Sequence, residues 1–475
     1  MPSAAPQASA PHTAAPSPVL ATPIAAMRQL VSSGATRPLA WRLEQLQRLE
    51  QAITSRHEAV LAALAADLGK PSVEAYFELV GIQEELQLTR KRLRRWMAPR
   101  RVGVPLVAMP GSAELISEPL GCVLVIGPWN YPFMLAIQPL VSALAAGNTA
   151  VVKPSESAPA TSALIAELLA AAFPSEIVQV VEGDGQVAHA LLQNVFDHIF
   201  FTGGERVGRL VMEAAAQHLT PVTLELGGKS PAVVLDDADL AVTSRRLAWG
   251  KTINAGQTCI APDYLLVQQG VEQPLLQLLQ ERFASCFGSD PLASPDLGSI
   301  VNDAQFARLN GLLEGARSRG QVLCGGQSDP QRRRIAPSLI RVESPNDPLM
   351  QEELFGPLLP VLSVANLEEA ITQINQRPKP LALYLFSQRR AAQQEILRRT
   401  SSGGVCFNDV VLQAGITDLP FGGVGASGMG TYHGEAGFRT FSHQRSVLRR
   451  SFLLDLPFRY PPYAGKLPLL QKLLG

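Results

Sequence analysis

Hydrophobic residues recur every three or four positions through residues 38–101, with charged residues between them, as in LEQLQRLEQAI and LAALAADLG. This period is typical of amphipathic helices, so we expect a helical region there. After residue 119 the pattern changes to short, uninterrupted apolar runs that alternate with helical stretches. Such runs predict buried strands, and strands joined by helices predict parallel sheets.

The alternating part of the chain contains two series of strands and helices. The first predicts strands at residues 122–126, 149–152, 177–181, 198–201 and 222–226, with helices at 136–146, 160–172, 186–193 and 205–217. The second predicts strands at residues 264–267, 339–342, 358–364, 381–386 and 404–408, separated by helices such as 366–374. We therefore expect an α/β fold of two doubly wound parallel sheets, whose ligands bind at the carboxyl ends of the strands.

Two segments could be mistaken for targeting or membrane elements. Residues 1–25 are almost all Ala, Pro, Ser and Thr, which predicts a disordered tail. They have neither the basic start of a secretory signal nor the arginines of a transit peptide. The uncharged stretch at residues 119–152 is interrupted by prolines and glycines, so it predicts strands and a helix and not a transmembrane segment.

Charge and cysteine content argue against several classes of function. The 475-residue chain has 41 Lys and Arg residues and 41 Asp and Glu residues, so it lacks the general attraction of a nucleic-acid binder. Its five cysteines form no CxxC pair, which favours a reducing compartment such as the cytoplasm over a disulfide scaffold or zinc site. Because no HExxH or P-loop motif occurs, we expect neither a metal site nor phosphoryl transfer.

Cys259, in NAGQTCIAPDY, is the sharpest candidate for chemistry. A cysteine attacks as its thiolate, and Gly256 permits a tight backbone approach just before it. Taken alone, an inert buried thiol is the commoner explanation, and we assign the other four cysteines to it.

Two polar residues follow predicted strands and could complete a site with this cysteine. The Asn130 amide, in IGPWNYPF, could donate to an oxyanion together with the backbone N–H of the nucleophile, although a turn asparagine is the alternative. The Glu225 carboxylate, in TLELGGKSP, could activate water, although a surface salt bridge is the alternative. The three residues form one site only if they share a cleft.

Signals for a cofactor are spread along the first series of strands. The segment FTGGERVG leads from a strand into a helix, so Gly203 to Gly208 could let a phosphate approach the helix N-terminus, although this is not a GxGxxG motif. In VVKPSE, Lys153 and Glu156 could bind ribose hydroxyls, unless Lys153 is simply a solvated lysine. A carboxylate near the 2′-hydroxyl favours NAD over NADP.

Seven motifs together resemble the aldehyde dehydrogenase superfamily in order and rough spacing, across residues 26–463. They are IGPWNYPF, VVKPSE, FTGGERVG, ELGGKSP, GQTC, EELFGP and LPFGGVGASGMG. The segments CIAPDY, RPKPLALYLFS, SGGVCFNDV and MGTYHGEAGFRTFSHQRSVL resemble its class 3 or fatty-aldehyde branch. One departure is VLQAGITD, where Gln413 stands near a position that often carries histidine in this branch, and it leaves the substrate preference open.

The resemblance implies a role for each candidate residue. Cys259 would attack the aldehyde, with the oxyanion held by the Asn130 amide and the Cys259 N–H. Hydride would pass to NAD or NADP, and Glu225 would activate the water that hydrolyses the resulting thioester. The implied cofactor contacts are Trp129 beside the site, Lys153 and Glu156 at the adenosine ribose, Gly203 and Gly208 by the pyrophosphate, and Glu353 and Phe355 at the nicotinamide ribose and ring.

The resemblance also implies a domain layout and partners. Residues 26–226 would form the NAD(P)-binding domain with part of a small antiparallel bridging element, and residues 227–415 the catalytic domain. Residues 416–475 would return to the first domain, add an oligomerisation strand for a homodimer and end in a C-terminal tail. Since the final AGKLPLLQKLLG is too short to cross a bilayer, we expect no transmembrane segment there, only packing on the protein or peripheral membrane contact.

Medium-chain, long-chain or aromatic aldehydes are the implied substrates, and three rival functions stay open. A coenzyme A-acylating dehydrogenase would not require a base such as Glu225. A catalytically silent binding protein would not require Cys259, Glu225 and Asn130 together. A cysteine esterase would not need the dinucleotide motifs.

Overall fold

The computed structural model describes residues 18–105, 108–455 and 457–474. Four helices come first: α1 (Pro18–Ser32), α2 (Leu39–Ser55), α3 (His57–Leu68) and α4 (Ser72–Trp96). The apolar stripes of the last three helices bury Leu46, Leu64 and Leu79 in one core with the strands that follow. The predicted helical region is thus confirmed up to Trp96, after which come β1 (Arg100–Val102) and β2 (Gly111–Pro119).

Helix α1 corrects the expectation of a disordered tail for residues 18–25, which are helical. Ile24, Met27 and Val31 are spaced at three and four residues and are all buried. Ile24 and Met27 pack on the first sheet beside Leu124, so the burial of an apolar stripe orders this segment. Residues 1–17, the rest of the predicted tail, lie outside the described residues.

The first sheet has five parallel strands in the order β7-β6-β3-β4-β5, with helices in the crossovers. Its elements are β3 (Cys122–Ile126), α5 (Met134–Ala146), β4 (Thr149–Lys153), α6 (Pro159–Ala172), β5 (Val178–Val180), α7 (Gly185–Leu192), β6 (His198–Thr202), α8 (Glu205–Ala216) and β7 (Val222–Glu225). All of the predicted strands and helices of this series are confirmed to within two residues.

The second sheet has seven strands in the order β10-β13-β14-β9-β8-β15-β16, and all but the edge strand β10 are parallel. The elements of this half are β8 (Pro231–Val234), α9 (Leu240–Thr252), β9 (Tyr264–Gln268), α10 (Gln269–Phe287), α11 (Asp303–Ser318), β10 (Val322–Cys324), β11 (Ser328–Asp329), β12 (Arg334–Ile335), β13 (Ser338–Val342), β14 (Leu358–Val364), α12 (Leu367–Asn375), β15 (Ala382–Phe386), α13 (Arg390–Arg399) and β16 (Gly404–Phe407). Strand β8 (PAVV) was not predicted from the sequence pattern, yet it lies fully buried between β9 and β15.

The chain then returns to the first half through β17 (Gly428–Met429), α14 (Gly434–Thr440) and β18 (Ser442–Arg450), and its last helix is α15 (Leu467–Leu474). Strand β17 lies antiparallel beside β7, and β18 pairs with β2 in a small antiparallel sheet of order β1-β2-β18. The predicted class, two doubly wound parallel sheets with a small antiparallel element, is confirmed. Among the described helices, none combines the length and the apolar character needed to cross a membrane.

Candidate active site

A cleft of about 340 Å³ lies at the carboxyl ends of the strands of the first sheet and is closed by loops of the second half. Seven of the predicted site residues line it together: Trp129, Asn130, Gly203, Glu225, Cys259, Glu353 and Phe355. Residues from five separate segments of the chain therefore meet in one place, which is the condition that the sequence analysis set for a site.

The other predicted residues lie away from the wall of this cleft. Lys153 ends β4 and Glu156 follows it, further along the same sheet edge, where Lys153 Nζ lies 3.0 Å from Glu156 Oε2. Gly208 lies inside α8, where an added Cβ would come 2.8 Å from Leu226 Cδ2. The glycine at position 208 therefore allows close packing of helix on strand, and the structure does not bring it into the turn where a pyrophosphate contact was predicted.

The segment before Cys259 has an unusual backbone. Asn254, Ala255 and Gly256 have φ values of 53°, 52° and 76°, so three successive residues are left-handed. A Cβ at Gly256 would lie 2.3 Å from the carbonyl oxygen of Gly356, which leaves room only for glycine. This turn carries the chain sharply from α9 to the cysteine.

The side chain of Gln257 binds this turn to residues 299–301. Its Nε2 donates to the carbonyl oxygen of Ser299 at 3.0 Å, and its Oε1 accepts from the N–H of Val301 at 2.9 Å. Tyr384 donates to the carbonyl oxygen of Ile260 at 2.5 Å. This segment, residues 254–260, is the nucleophile loop, and these hydrogen bonds hold it on both sides of Cys259.

Asn130 lies in the loop between β3 and α5 and is almost completely buried. Its Nδ2 donates to the carbonyl oxygen of Gln257, which belongs to the nucleophile loop, at 3.2 Å. A side-chain amide has two N–H donors, so the second is the one that can serve a ligand in the cleft. Its backbone oxygen accepts from Lys70 Nζ at 3.1 Å and from Asn254 Nδ2 at 2.8 Å, which anchors the residue from behind.

Two buried acids of the cleft, Glu225 and Glu353, favour their neutral forms. Glu225 ends β7 with 2% of its surface exposed, and among the described residues neither carboxylate oxygen has a hydrogen-bond partner. Burial, and then repulsion by Glu353, raise the pKa of Glu225 to about 8. Burial, followed by repulsion from Asp263, raises the pKa of Glu353 to about 8, although the hydrogen bond from the N–H of Gly228 lowers it. A carboxyl with a pKa near neutrality is suited to exchanging protons.

The Cys259 thiol shares this environment. Burial first, then the nearby Glu225 and Glu353, raise its pKa well above the usual value. The backbone N–H groups of Cys259 and Ile260 act in the opposite direction, because they donate toward the sulfur. Two backbone donors therefore lie beside the sulfur.

A second, mostly apolar cavity of about 250 Å³ reaches Cys259 from the other side. Its walls come from α4, α5, the end of α9 and residues 411–433. They include Phe77, Val80, Met134, Trp249, Ile253, Leu412, Phe421 and Tyr432. Cys259 and Leu135 line both cavities, so the cysteine lies where the apolar cavity meets the cleft.

The cleft has the features that a dinucleotide requires. Gly204 is the N-cap of α8, and a Cβ there would meet no atom within 4 Å, so the helix N-terminus is open to a phosphate. The Trp129 and Phe355 rings meet edge to face with centroids 5.2 Å apart and can border a flat ring. An added Cβ on Gly227 would come 2.1 Å from a carboxylate oxygen of Glu353, so this acid packs directly against the glycine.

Two residues of α11 on the wall of the cleft were missed by the sequence analysis. Arg308 donates to the carbonyl oxygen of Leu354 at 2.6 Å and to Gln305 Oε1 at 2.9 Å, and both Arg308 and Gln305 line the cavity. A half-buried guanidinium here can face the phosphates of a dinucleotide. No local motif marks α11, because only tertiary packing brings it opposite the first sheet.

Two doubly wound sheets that close on one cleft, with a cysteine between that cleft and an apolar cavity, are the architecture of a dinucleotide-dependent α/β enzyme. The model of the aldehyde dehydrogenase family matches residues 13–447. The chain is 45% identical to an aldehyde dehydrogenase of Craterostigma plantagineum, over 94% of each chain. It is 46% identical to aldehyde dehydrogenase family 3 member A2 of Rattus norvegicus, over 92% of this chain and 90% of the relative.

A solved structure agrees with these similarities. The substrate-bound state of Staphylococcus aureus AldH superposes with a TM-score of 0.92 at 41% identity, over 96% of this chain and 99% of that one. The chain therefore belongs to the aldehyde dehydrogenase family, and to its class 3 branch. It is an enzyme that oxidises aldehydes with NAD or NADP as the cofactor.

Proposed function

We propose that this aldehyde dehydrogenase acts on medium-chain, long-chain or aromatic aldehydes through a thioester on Cys259. The observation that carries the proposal is the position of Cys259 at the junction of the cleft and the apolar cavity. An aldehyde entering through the apolar cavity presents its carbonyl carbon to the thiol, while its hydrocarbon part stays among apolar side chains.

The residues around Cys259 support each step on the protein side. The Cys259 thiol releases its proton to solvent and the sulfur attacks the carbonyl carbon, while the second N–H of the Asn130 amide and the Cys259 backbone N–H donate to the oxyanion. When bound, the dinucleotide supplies the acceptor for the substrate hydride. The acyl group then remains on Cys259 as a thioester, and Glu225, once ionised, takes a proton from the water that attacks it.

The cofactor contacts belong to the same proposal. Lys153 and Glu156 bind the adenosine ribose, Gly203 lies by the pyrophosphate, Trp129 borders the site, and Glu353 and Phe355 hold the nicotinamide ribose and ring. The open N-terminus of α8 and the edge-to-face rings support these positions. Gly208 contributes by letting α8 pack closely on the sheet.

Domain boundaries and assembly follow as further proposals. We assign residues 26–226 and 416–475 to the cofactor domain with the small sheet and tail, and residues 227–415 to the catalytic domain. The edge position of β18 supports a homodimer in which this strand meets a second copy, to be tested by analytical ultracentrifugation. The five free cysteines of the chain support a cytoplasmic location.

The test measures nicotinamide reduction with NAD and separately with NADP, on aliphatic aldehydes of increasing length, with and without coenzyme A. Reduction without coenzyme A that is absent in Cys259→Ala is expected, with rates that rise with chain length. A requirement for coenzyme A would establish the acylating alternative. A best substrate that is short and charged would overturn the proposed substrate class.

A further inference from the structure

A buried ion pair lies behind the active site, at the junction of α3 and α4. Lys70 Nζ lies 2.6 Å from Glu78 Oε1, and both side chains are fully buried. Gly69, left-handed with φ of 58°, ends α3 and turns the chain inward just before Lys70. An added Cβ on Gly69 would come 2.9 Å from Ser299 Oγ, so this turn is pressed against the second half.

The ion pair holds the loop that carries Asn130. Lys70 Nζ donates to the backbone oxygen of Asn130 at 3.1 Å and lies 4.2 Å from the centroid of the Tyr131 ring. The second oxygen of Glu78 accepts from the N–H of Phe133 at 3.2 Å and from that of Met134 at 2.9 Å. Four contacts from two charged side chains therefore fix residues 130–134.

The same helices also reach the nucleophile loop. The hydroxyl of Tyr131, beneath Lys70, lies 2.7 Å from Thr258 Oγ1, next to the cysteine. Glu74, one turn before Glu78 on α4, accepts from the backbone N–H of Asn254 at 2.8 Å. The side chain of Asn254 in turn donates to the Asn130 oxygen, so the two loops are joined on the side that faces α4.

Packing of α3 on α4 does not by itself require this pair. Replacing a buried ion pair with apolar residues of similar size is often neutral or favourable for stability, because desolvation offsets the attraction of the charges. Here both charged side chains form hydrogen bonds with backbone groups of a single loop, residues 130–134. We propose that Lys70 and Glu78 are positioning residues that aim the Asn130 amide at the oxyanion on Cys259, an inference that rests on the role proposed for Asn130.

The decisive variant is the double substitution Lys70→Met with Glu78→Gln. Lys70→Met alone leaves Glu78 buried without its cation and should lower both the Tm and kcat, so it cannot separate folding from positioning. The double variant removes both charges and should recover most of the Tm. Its kcat for aldehyde oxidation should stay about 10- to 100-fold below wild type, since an oxyanion donor displaced by about 1 Å loses much of its effect.

Three readouts separate positioning from a structural role. In the double variant the KM for the dinucleotide should stay at the wild-type value, because the proposed cofactor contacts do not include Asn130. The triple variant that adds Asn130→Ala to the double substitution should have the same single-turnover rate constant as Asn130→Ala alone. Arg42→Met, which removes a buried cation bonded to the Ala145 carbonyl at the far end of α5, should lower the Tm without changing kcat.

Recovery of both Tm and kcat in the double variant would show that the pair serves folding alone. A further loss on top of Asn130→Ala would show that Lys70 does not act through that residue. If Asn130→Ala itself keeps wild-type kcat, the proposed role of Asn130 fails and the inference fails with it. If Asn130→Ala lowers kcat but the double variant keeps wild-type kcat, only the inference is overturned.

Discussion

The base strength of Glu225 gives the sharpest test of the proposed hydrolysis. With its pKa raised from 4.5 to about 8, the carboxyl favours its neutral form by roughly 5 kcal/mol more than in water, at about 1.4 kcal/mol per pH unit. Only about one-tenth of the enzyme then has Glu225 ionised at pH 7, and about nine-tenths at pH 9. Since the base must be ionised to accept a proton, hydrolysis of the thioester should rise about tenfold over this range and level off above it.

The assay must separate hydrolysis from formation of the thioester, because the Cys259 thiol titrates as well. An activated ester such as p-nitrophenyl acetate does this without a dinucleotide. Its burst reports acylation of Cys259, and its steady rate reports hydrolysis. The steady rate should bend near pH 8 in the wild type, whereas attack by hydroxide alone keeps rising tenfold per pH unit.

Two variants identify the titrating group. Glu225→Gln should abolish the bend and leave the slow hydroxide reaction. Glu353→Gln should move the bend to lower pH, because repulsion by Glu353 is the second cause of the raised pKa. A wild-type profile without a bend, or a bend that survives Glu225→Gln, would refute Glu225 as the base.

Four further outcomes are expected. Asn130→Ala should lower kcat by about 10²- to 10³-fold with little change in Tm, since an oxyanion donor is lost while the backbone contacts stay; an unchanged kcat would contradict its role. Gly256→Ala should destabilise by about 2 kcal/mol or more in urea unfolding and slow alkylation of Cys259, because φ is 76° and the Cβ meets a carbonyl. Glu156→Gln should raise kcat/KM with NADP relative to NAD, and an unchanged ratio would mean that this exposed carboxylate turns away from the ribose. Because the raised pKa of Glu225 makes the folded state lose stability as pH rises from about 4.5 to about 8, Glu225→Gln should flatten the fall in Tm over this window.

The order of the strands and helices could be predicted from the sequence, because a buried parallel strand needs a continuous apolar run and a crossover helix needs an amphipathic one. Some elements are exceptions. Strand β8 (PAVV) was not predicted, and the helical stripe at residues 18–31 was obscured by an Ala- and Pro-rich composition. In both cases burial against neighbours decided the structure.

Cys259, Asn130 and Glu225 were identifiable as candidates from the sequence, since each stands beside a glycine-containing turn or at the end of a strand. Their meeting in one cleft depends on how the two sheets close on each other, as does the position of Arg308 on its wall. Residue types and the spacing of apolar residues can be read from the sequence. Desolvation, repulsion between acids and contacts between residues hundreds of positions apart arise only in the folded molecule. The sequence therefore determined the fold class and the chemical groups, and the tertiary structure decided their pKa values, their partners and the apolar cavity beside the cysteine.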